Sequence, residues 1–168
     1  MLAQTIPETV EVTTAPTTAL LIDRTCPSNA SAISAAMAGA FSVLADVLVR
    51  SGLTASGPPR AIYTAMGPAE VRFTAAIPIR PVRVLDDRET GAYVGTIRGE
   101  RALRFVHHGP HDALRDTYFR IEDWLRERGQ LRTAADWDRF TPRWEEFLGD
   151  PDSTPPEELV TRIYLTLH

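Results

Sequence analysis

The sequence predicts an α+β fold made of two similar halves, each with the order strand, strand, helix, strand, strand. Short apolar or alternating runs bounded by Pro and Gly are typical of strands. Two longer segments repeat apolar residues at helical spacing. The whole order occurs twice, with a similar turn after each helix. Because one such unit buries its sheet poorly, we expect the two halves to pack side by side, with antiparallel sheets, two main helices and a ligand groove between the halves.

The first half is predicted to span 8–80, and residues 1–7 are expected to be disordered. Its helix has a candidate N-cap at Ser31 and ends at Ser51 and Gly52. The apolar face of that helix consists of Ile33, Met37, Phe41, Leu44 and Leu48. The strands predicted around it are 8–12, 19–22, 61–63 and 71–77.

A polar connector, 81–91, leads to the second half, 92–168, and the two halves form one domain over 8–168. The second helix is predicted over 112–128, and Gly129 ends it. Its apolar face consists of Leu114, Tyr118, Ile121 and Leu125. The strands predicted here are 93–97, 103–106, 143–148 and 160–167. In this repeat Tyr63 corresponds to Phe147, and 71–79 corresponds to 159–167.

Composition excludes several classes of function. A single cysteine, Cys26, rules out an internal disulfide and a Cys-based zinc site, and the absence of Lys rules out Schiff-base chemistry. A net charge of −4 disfavours nucleic acid as a partner. No apolar run approaching ~20 residues and no secretion signal are apparent, so we expect a cytoplasmic protein without a membrane partner. The oligomeric state stays open.

The most informative stretch is the predicted strand 143–148. On a strand, Glu145 and Phe147 project to one face, and Trp144 and Glu146 to the other. A carboxylate beside aromatic rings on a half-buried face is unfavourable unless it is paired or kept for a ligand. We expect Glu146 to be a solvated partner of an arginine.

The duplicated pattern resembles the GyrI-like (gyrase-inhibitor-like) effector-binding domain family over about 8–167, as a standalone member. The residues that carry the resemblance are His108-Gly109-Pro110, then Tyr118, Trp124 and Gly129, the run Glu145 to Pro151, and Gly57-Pro58-Pro59 followed by Tyr63. Two positions depart from the family: Phe147 stands where Tyr is usual, and His111 where Tyr is frequent.

The resemblance implies a small-molecule partner, with Glu145 in the groove facing a planar hydrophobic ligand that is cationic or neutral. The alternative is a structural Glu145, salt-bridged to Arg60 or Arg143. No cofactor is expected. The spacing of His107, His108 and His111 suggests a metal, but the resemblance explains it as a turn before the helix, so no metal site is predicted.

Aromatic residues are the second feature expected of the site, because rings stack on planar ligands. Tyr63 and Phe147 hold equivalent places in the two halves and are the favoured walls, with Trp137 as a candidate lid. The full set of predicted ligand-binding residues is Glu145, Phe147, Tyr63, Trp137, Trp144, Phe105, Tyr118 and Tyr164. Core packing is an equally good explanation for Phe105 and Tyr118.

Three functions remain open. The first is binding of a drug or antibiotic without catalysis. The second, implied by the resemblance, is hydrolysis of DNA-alkylating cyclopropanoid antibiotics within an aromatic cage, conferring self-resistance; Glu145 would then position or deprotonate the attacking water. The third is a protein-interaction role such as gyrase inhibition, for which the net charge is modest.

Overall fold

The computed structural model describes residues 9–83 and 85–168, and the expected disordered stretch 1–7 lies outside them. The strands within the described residues are β1 (Val10–Thr13), β2 (Thr17–Pro27), β3 (Arg60–Met66), β4 (Glu70–Pro78), β5 (Asp86–Asp87), β6 (Ala92–Ile97), β7 (Arg101–His108), β8 (Arg143–Leu148) and β9 (Val160–Thr166). The α-helices there are α1 (Ala30–Arg50) and α2 (Leu114–Glu127). The predicted α+β class with antiparallel strands and two main helices is confirmed.

The chain divides into two compact units. Residues 14–99 form one of them, with strand order β3-β4-β2-β6-β5 and with α1 against β2 and β4. The other unit combines β1 with residues 100–168 and has strand order β1-β7-β9-β8, with α2 against β7. Each unit therefore pairs a sheet with one long helix.

Two strands lie outside the half to which the repeat assigns them. β6 pairs with β2, placing Tyr93 opposite Leu21, although 92–97 was expected in the second half. β1 pairs with β7, placing Val12 opposite Ala102, although 8–12 was expected in the first half. The physical reason is that alternation identifies a strand but leaves its partner open, since pairing depends on contacts distant in sequence.

Helix α1 begins two residues earlier than predicted. The Asn29 side chain accepts a hydrogen bond of 2.8 Å from the backbone N–H of Ala32, so Asn29 is the N-cap and Ser31 is an exposed residue of the first turn. The helix ends as predicted, because Gly52 adopts φ 65°, a left-handed conformation that glycine reaches without strain.

Helix α1 also corrects the expectation that no apolar run approaches the ~20 residues of a membrane-spanning helix. By length and composition alone this 21-residue helix is long enough and apolar enough to cross a membrane. That evidence is weak, because the core helix of a soluble protein meets the same criteria. Here Ala40, Leu44 and Val47 are buried, and the helix contacts β2 and β4.

Helix α2 follows a 3-10 turn, His111–Ala113, and covers one face of its sheet. The core under it consists of Leu103, Phe105, Ile121, Leu125, Leu131, Phe140, Ile163 and Leu165. The apolar face predicted for this helix is thus confirmed at Ile121 and Leu125. The segment predicted as a polar loop around Trp137 is a 3-10 helix, Ala134–Phe140, opened by a capping box at Thr133 and Asp136.

Candidate functional site

Strand β8 presents Glu145 and Phe147 on the face that lies under α2. In the antiparallel pair with β9, Glu145 is opposite Ile163 and Phe147 is opposite Thr161. Residues directly opposite each other share a face of the sheet. Because Ile163 packs in the core with Ile121 of α2, this face is the helix-covered one.

The Glu145 carboxyl group is removed from water and held by α2. Glu145 is only 6% exposed, and its Oε1 accepts a hydrogen bond of 2.7 Å from the Tyr118 hydroxyl. Burial raises the pKa of Glu145 to about 7, and the Tyr118 hydrogen bond and the charge of Arg143 lower it by less. The partner of Glu145 is therefore a tyrosine hydroxyl, where the structural alternative expected a salt bridge to Arg60 or Arg143. Arg143 acts on Glu145 through its charge.

A pKa near neutrality gives this carboxyl group two chemical states under physiological conditions. In the protonated state it can donate a hydrogen bond, and in the ionised state it can neutralise a cation. In either state, a polar group of another molecule can replace the Tyr118 hydroxyl as the hydrogen-bond partner of the carboxyl group. The same pKa suits a group that transfers protons near neutral pH.

Phe147 carries a histidine ring on its flank. The ring centroids of His111 and Phe147 are 5.1 Å apart, with the planes tilted by 53°. Both residues are half-buried. Burial lowers the pKa of His111, helped by the charge of His107, while Asp112 opposes the shift. A less basic His111 is a flat, mostly neutral ring at neutral pH, so the pair forms an aromatic wall.

His107 fixes the turn that precedes α2. Its Nδ1 lies 2.7 Å from the Thr117 hydroxyl, and its Nε2 lies 3.0 Å from the carbonyl oxygen of Pro110. A carbonyl can only accept, so Nε2 donates to Pro110, while Nδ1 shares a hydrogen bond with the Thr117 hydroxyl. Arg120 donates to the same Thr117 oxygen at 3.1 Å, so this hydroxyl connects α2 to the turn through His107.

The opposite face of β8 carries a different cluster. Trp144 and Tyr164 stack at 4.6 Å with planes 6° apart. Glu146 is 6% exposed and accepts hydrogen bonds from Arg162 at 3.2 Å and from the Tyr164 hydroxyl at 3.3 Å. The expected arginine partner is present, but the expectation that Glu146 is solvated is wrong. Both donors lie on β9, the strand paired with β8.

The remaining predicted site residues lie in other surroundings. Phe105 is fully buried in the core under α2 and meets the edge of Trp124 at 5.6 Å. Trp137 packs against the same core, under the Arg143 guanidinium at 4.8 Å, so its expected role as a lid stays a prediction. Tyr63 is buried on β3 in the unit 14–99, 6.3 Å from Phe73.

The structure thus joins Tyr118 to Glu145 and sets Phe147 on the same face, whereas Trp144 and Tyr164 lie on the other face. Sequence reasoning missed Thr117 and Thr161, because nothing in their local pattern distinguishes them from ordinary threonines. Within 9–83 and 85–168 no group of three His, Cys, Asp or Glu residues could hold a metal ion.

Comparison with known proteins gives the same fold. The C-terminal domain of EcmrR matches with a TM-score of 0.72 at 15% identity, over 100% of this chain and 99% of that one. SAV2435 bound to tetraphenylphosphonium matches with a TM-score of 0.60 at 13% identity, over 96% and 93% of the two chains. A hydrolase from Listeria innocua matches with a TM-score of 0.58 at 14% identity, over 96% and 93%. At these identities the likeness concerns the fold.

Among curated proteins no significant relative is found. The profile of the GyrI-like small molecule binding domain, in contrast, matches residues 8–168, essentially the whole chain. That match covers both compact units and the strand that carries Glu145. The chain therefore belongs to the GyrI-like small-molecule-binding domain family.

Proposed function

We propose that the protein binds a small, planar, hydrophobic molecule, cationic or neutral, and that Glu145 makes the polar contact with it. The observation that carries this proposal is a buried carboxyl group whose hydrogen bond comes from a single tyrosine hydroxyl. A carboxyl group in apolar surroundings destabilises the empty protein, most of all when it is ionised. A cationic ligand relieves that penalty and gains a strong contact in return.

The surroundings of Glu145 suit a flat partner. Phe147 lies two residues further along the same face, and His111 packs against its ring at 5.1 Å. Aromatic walls favour planar molecules, and a carboxylate beside them favours delocalised positive charge. Tyr118 keeps the carboxyl group paired until a ligand takes its place. A relative supports the ligand class, since SAV2435 has been solved with tetraphenylphosphonium, a hydrophobic cation.

The test is a binding titration with acridine orange, a planar aromatic cation, in mildly alkaline buffer where Glu145 is largely ionised. Binding is followed by dye fluorescence and by quenching of tryptophan. We expect Glu145→Gln to weaken binding by about tenfold or more, because the neutral amide no longer balances the charge. Glu146→Gln is the matched control, since it changes a buried carboxyl group on the opposite face of the same strand.

Three results would overturn the proposal. The first is that neither acridine orange nor tetraphenylphosphonium binds the native protein, and the second is that Glu145→Gln binds them as well as the native protein does. Equal losses in Glu145→Gln and Glu146→Gln would also count against it, because a specific contact of Glu145 predicts a difference between the two. Melting temperatures of both variants show that each is folded during the titration.

A second candidate is an enzyme that hydrolyses cyclopropanoid DNA-alkylating antibiotics. The observation in its favour is the pKa of Glu145 near 7, which suits a base that deprotonates or positions water at neutral pH. A structure described as a hydrolase from Listeria innocua shares the fold, at a TM-score of 0.58. The water oxygen would bond to one ring carbon while the strained C–C bond breaks and its electron pair moves to the rest of the compound. The proton that the carboxylate takes from the water is then returned to that part of the compound, so one water is added in total.

Product mass after incubation with a cyclopropanoid separates the two functions. A hydrolase gives a product heavier by one water, and Glu145→Gln abolishes its formation while the protein stays folded. Quenching of tryptophan without any change in the mass of the compound supports binding alone. Turnover that persists in Glu145→Gln would remove Glu145 from the catalytic role.

A further inference from the structure

Thr161 is a fully buried residue with an unpaired hydroxyl group. It is 0% exposed, and among the described residues no hydrogen-bond partner lies within reach of its Oγ1. It stands on β9 between His107 of β7 and Phe147 of β8, directly opposite each in register. All three side chains therefore share the face that carries Glu145.

An unpaired buried hydroxyl is unusual, since nearly all buried polar groups in folded proteins are hydrogen-bonded. The same strand shows the ordinary outcome at Thr166, which is equally buried and donates to the carbonyl oxygen of Pro142 at 2.5 Å. Burying Thr161 unpaired is unfavourable, and Val would fill the same space without that penalty.

Neither cross-strand neighbour can satisfy the hydroxyl. Both ring nitrogens of His107 are engaged, one by Thr117 and the other by the carbonyl of Pro110. Phe147 has no polar atom in its side chain. The hydroxyl of Thr161 is thus a hydrogen-bonding group held without a partner beside an aromatic wall.

We propose that the Thr161 hydroxyl is the second polar contact of the ligand site, so that the site selects planar molecules with a hydrogen-bonding group remote from the one that meets Glu145. This inference rests on the proposed binding function. Glu145 and Thr161 are diagonal neighbours on paired strands, which places them roughly 7–8 Å apart. A ligand lying along Phe147 can contact both.

Access to Thr161 requires a neighbour to move, because the residue has no exposed surface. This movement is assigned to His111, which contacts the ring of Phe147 beside Thr161. It is half-buried, lies against Phe147, and stands on a three-residue 3-10 turn that has no side-chain cap. The ring of a ligand would replace the His111 ring on Phe147 and bring its polar end to Thr161.

The test compares two acridine dyes that differ only in the methylation of their two amino groups. Proflavine and acridine orange share a planar cationic ring with an N–H group, but only proflavine has free amino groups that can donate to Thr161. We expect Thr161→Val to weaken proflavine binding by about fivefold to tenfold and to change acridine orange binding by less than about twofold. Thr161→Ser, which keeps the hydroxyl, should bind both dyes as the native protein does.

The melting temperature of the ligand-free variant is a second readout. If the hydroxyl is unpaired, Thr161→Val melts at the same temperature as the native protein or at a higher one. A clearly lower melting temperature would show that the hydroxyl already has a partner, and the inference would fail.

The outcomes separate this inference from the function on which it rests. Suppose that Glu145→Gln weakens the binding of both dyes. If Thr161→Val then binds both dyes like the native protein, or loses the same affinity for both, the second contact is refuted and the binding function stands. If neither dye binds the native protein, the binding function and the second contact fail together.

Discussion

At the scale of single residues, the behaviour of the site follows from how completely Glu145 is removed from water. Its carboxyl group keeps one strong hydrogen bond, from Tyr118, and loses the rest of its hydration. Burial outweighs that hydrogen bond, and the pKa of Glu145 rises to about 7. The ionised group is therefore a source of instability that a cation can relieve.

The pH dependence of folding should report this group directly. Because the pKa of Glu145 is about 7 in the folded protein and near 4.5 when unfolded, the folded state holds the proton more tightly. Its contribution to stability is full below about pH 4.5 and is lost as the pH rises to about 7 and beyond. The shift corresponds to about 3 kcal/mol at most.

We expect Glu145→Gln to remove the loss of folding stability that the native protein shows as the pH rises through about 7. The amide stays neutral and still accepts from Tyr118, so the free energy of unfolding at about pH 8 should rise by about 1–3 kcal/mol, with little change near pH 4. Urea unfolding at several pH values measures it. The exposed Glu158 offers a control, since Glu158→Gln should leave the curve unchanged. A variant that is less stable than the native protein at alkaline pH would contradict the assignment.

Sequence reasoning at this scale succeeded where alternation decides. The faces of Glu145 and Phe147 follow from the two-residue period of a strand, and the family resemblance singled out Glu145. The hydrogen bond from Tyr118 and the unpaired hydroxyl of Thr161 could not be predicted, because both depend on strand register and on where α2 lies. Glu146 was expected in solvent for the same reason: its burial comes from β9.

At the scale of secondary-structure elements, α2 is attached to two strands by consecutive residues. Thr117 is hydrogen-bonded to His107 on β7, and Tyr118 donates to Glu145 on β8. These two bonds fix how α2 is rotated above the sheet. If a ligand replaces Tyr118 as the hydrogen-bond partner of Glu145, only the Thr117–His107 hydrogen bond of this pair remains.

We expect Thr117→Val to destabilise the protein by about 1–3 kcal/mol, because the buried Nδ1 of His107 loses its hydrogen-bond partner and the apolar substitute cannot replace it. Chemical denaturation measures the loss. Thr161→Val makes the same change at a buried threonine without a hydrogen bond and should cause no loss. Equal destabilisation by the two substitutions would contradict the hydrogen-bond assignment.

The cap of α1 provides a second test at this scale. Asn29→Ala should lower the free energy of unfolding by about 1 kcal/mol, because the N–H of Ala32 loses its acceptor. Ser31→Ala, at the cap favoured by the sequence, should change stability by less than about 0.5 kcal/mol. The reverse order of effects would restore Ser31 as the cap. Sequence cannot decide between them, since both residue types cap well and only the path of the chain after β2 selects one.

At the scale of the whole molecule, the element order was predictable and the membership of the units was not. Periodicity located both long helices, although Leu44 is the one buried residue of the face predicted for α1. β1 and β6 each pair with strands of the other predicted half, and the sequence near them gives no indication of this except at one glycine. A Cβ at Gly99 would lie 2.4 Å from the carbonyl oxygen of Thr14, so only glycine fits where these two segments pass each other.

The most direct measurement of the central claim is the titration of the Glu145 side-chain carbonyl carbon by NMR, with and without acridine orange. Glu145→Gln identifies the signal. We predict a pKa of about 7 in the free protein and a clearly lower pKa in the complex, because a bound cation favours the carboxylate. An ordinary value near 4.5 that the dye leaves unchanged would contradict the account.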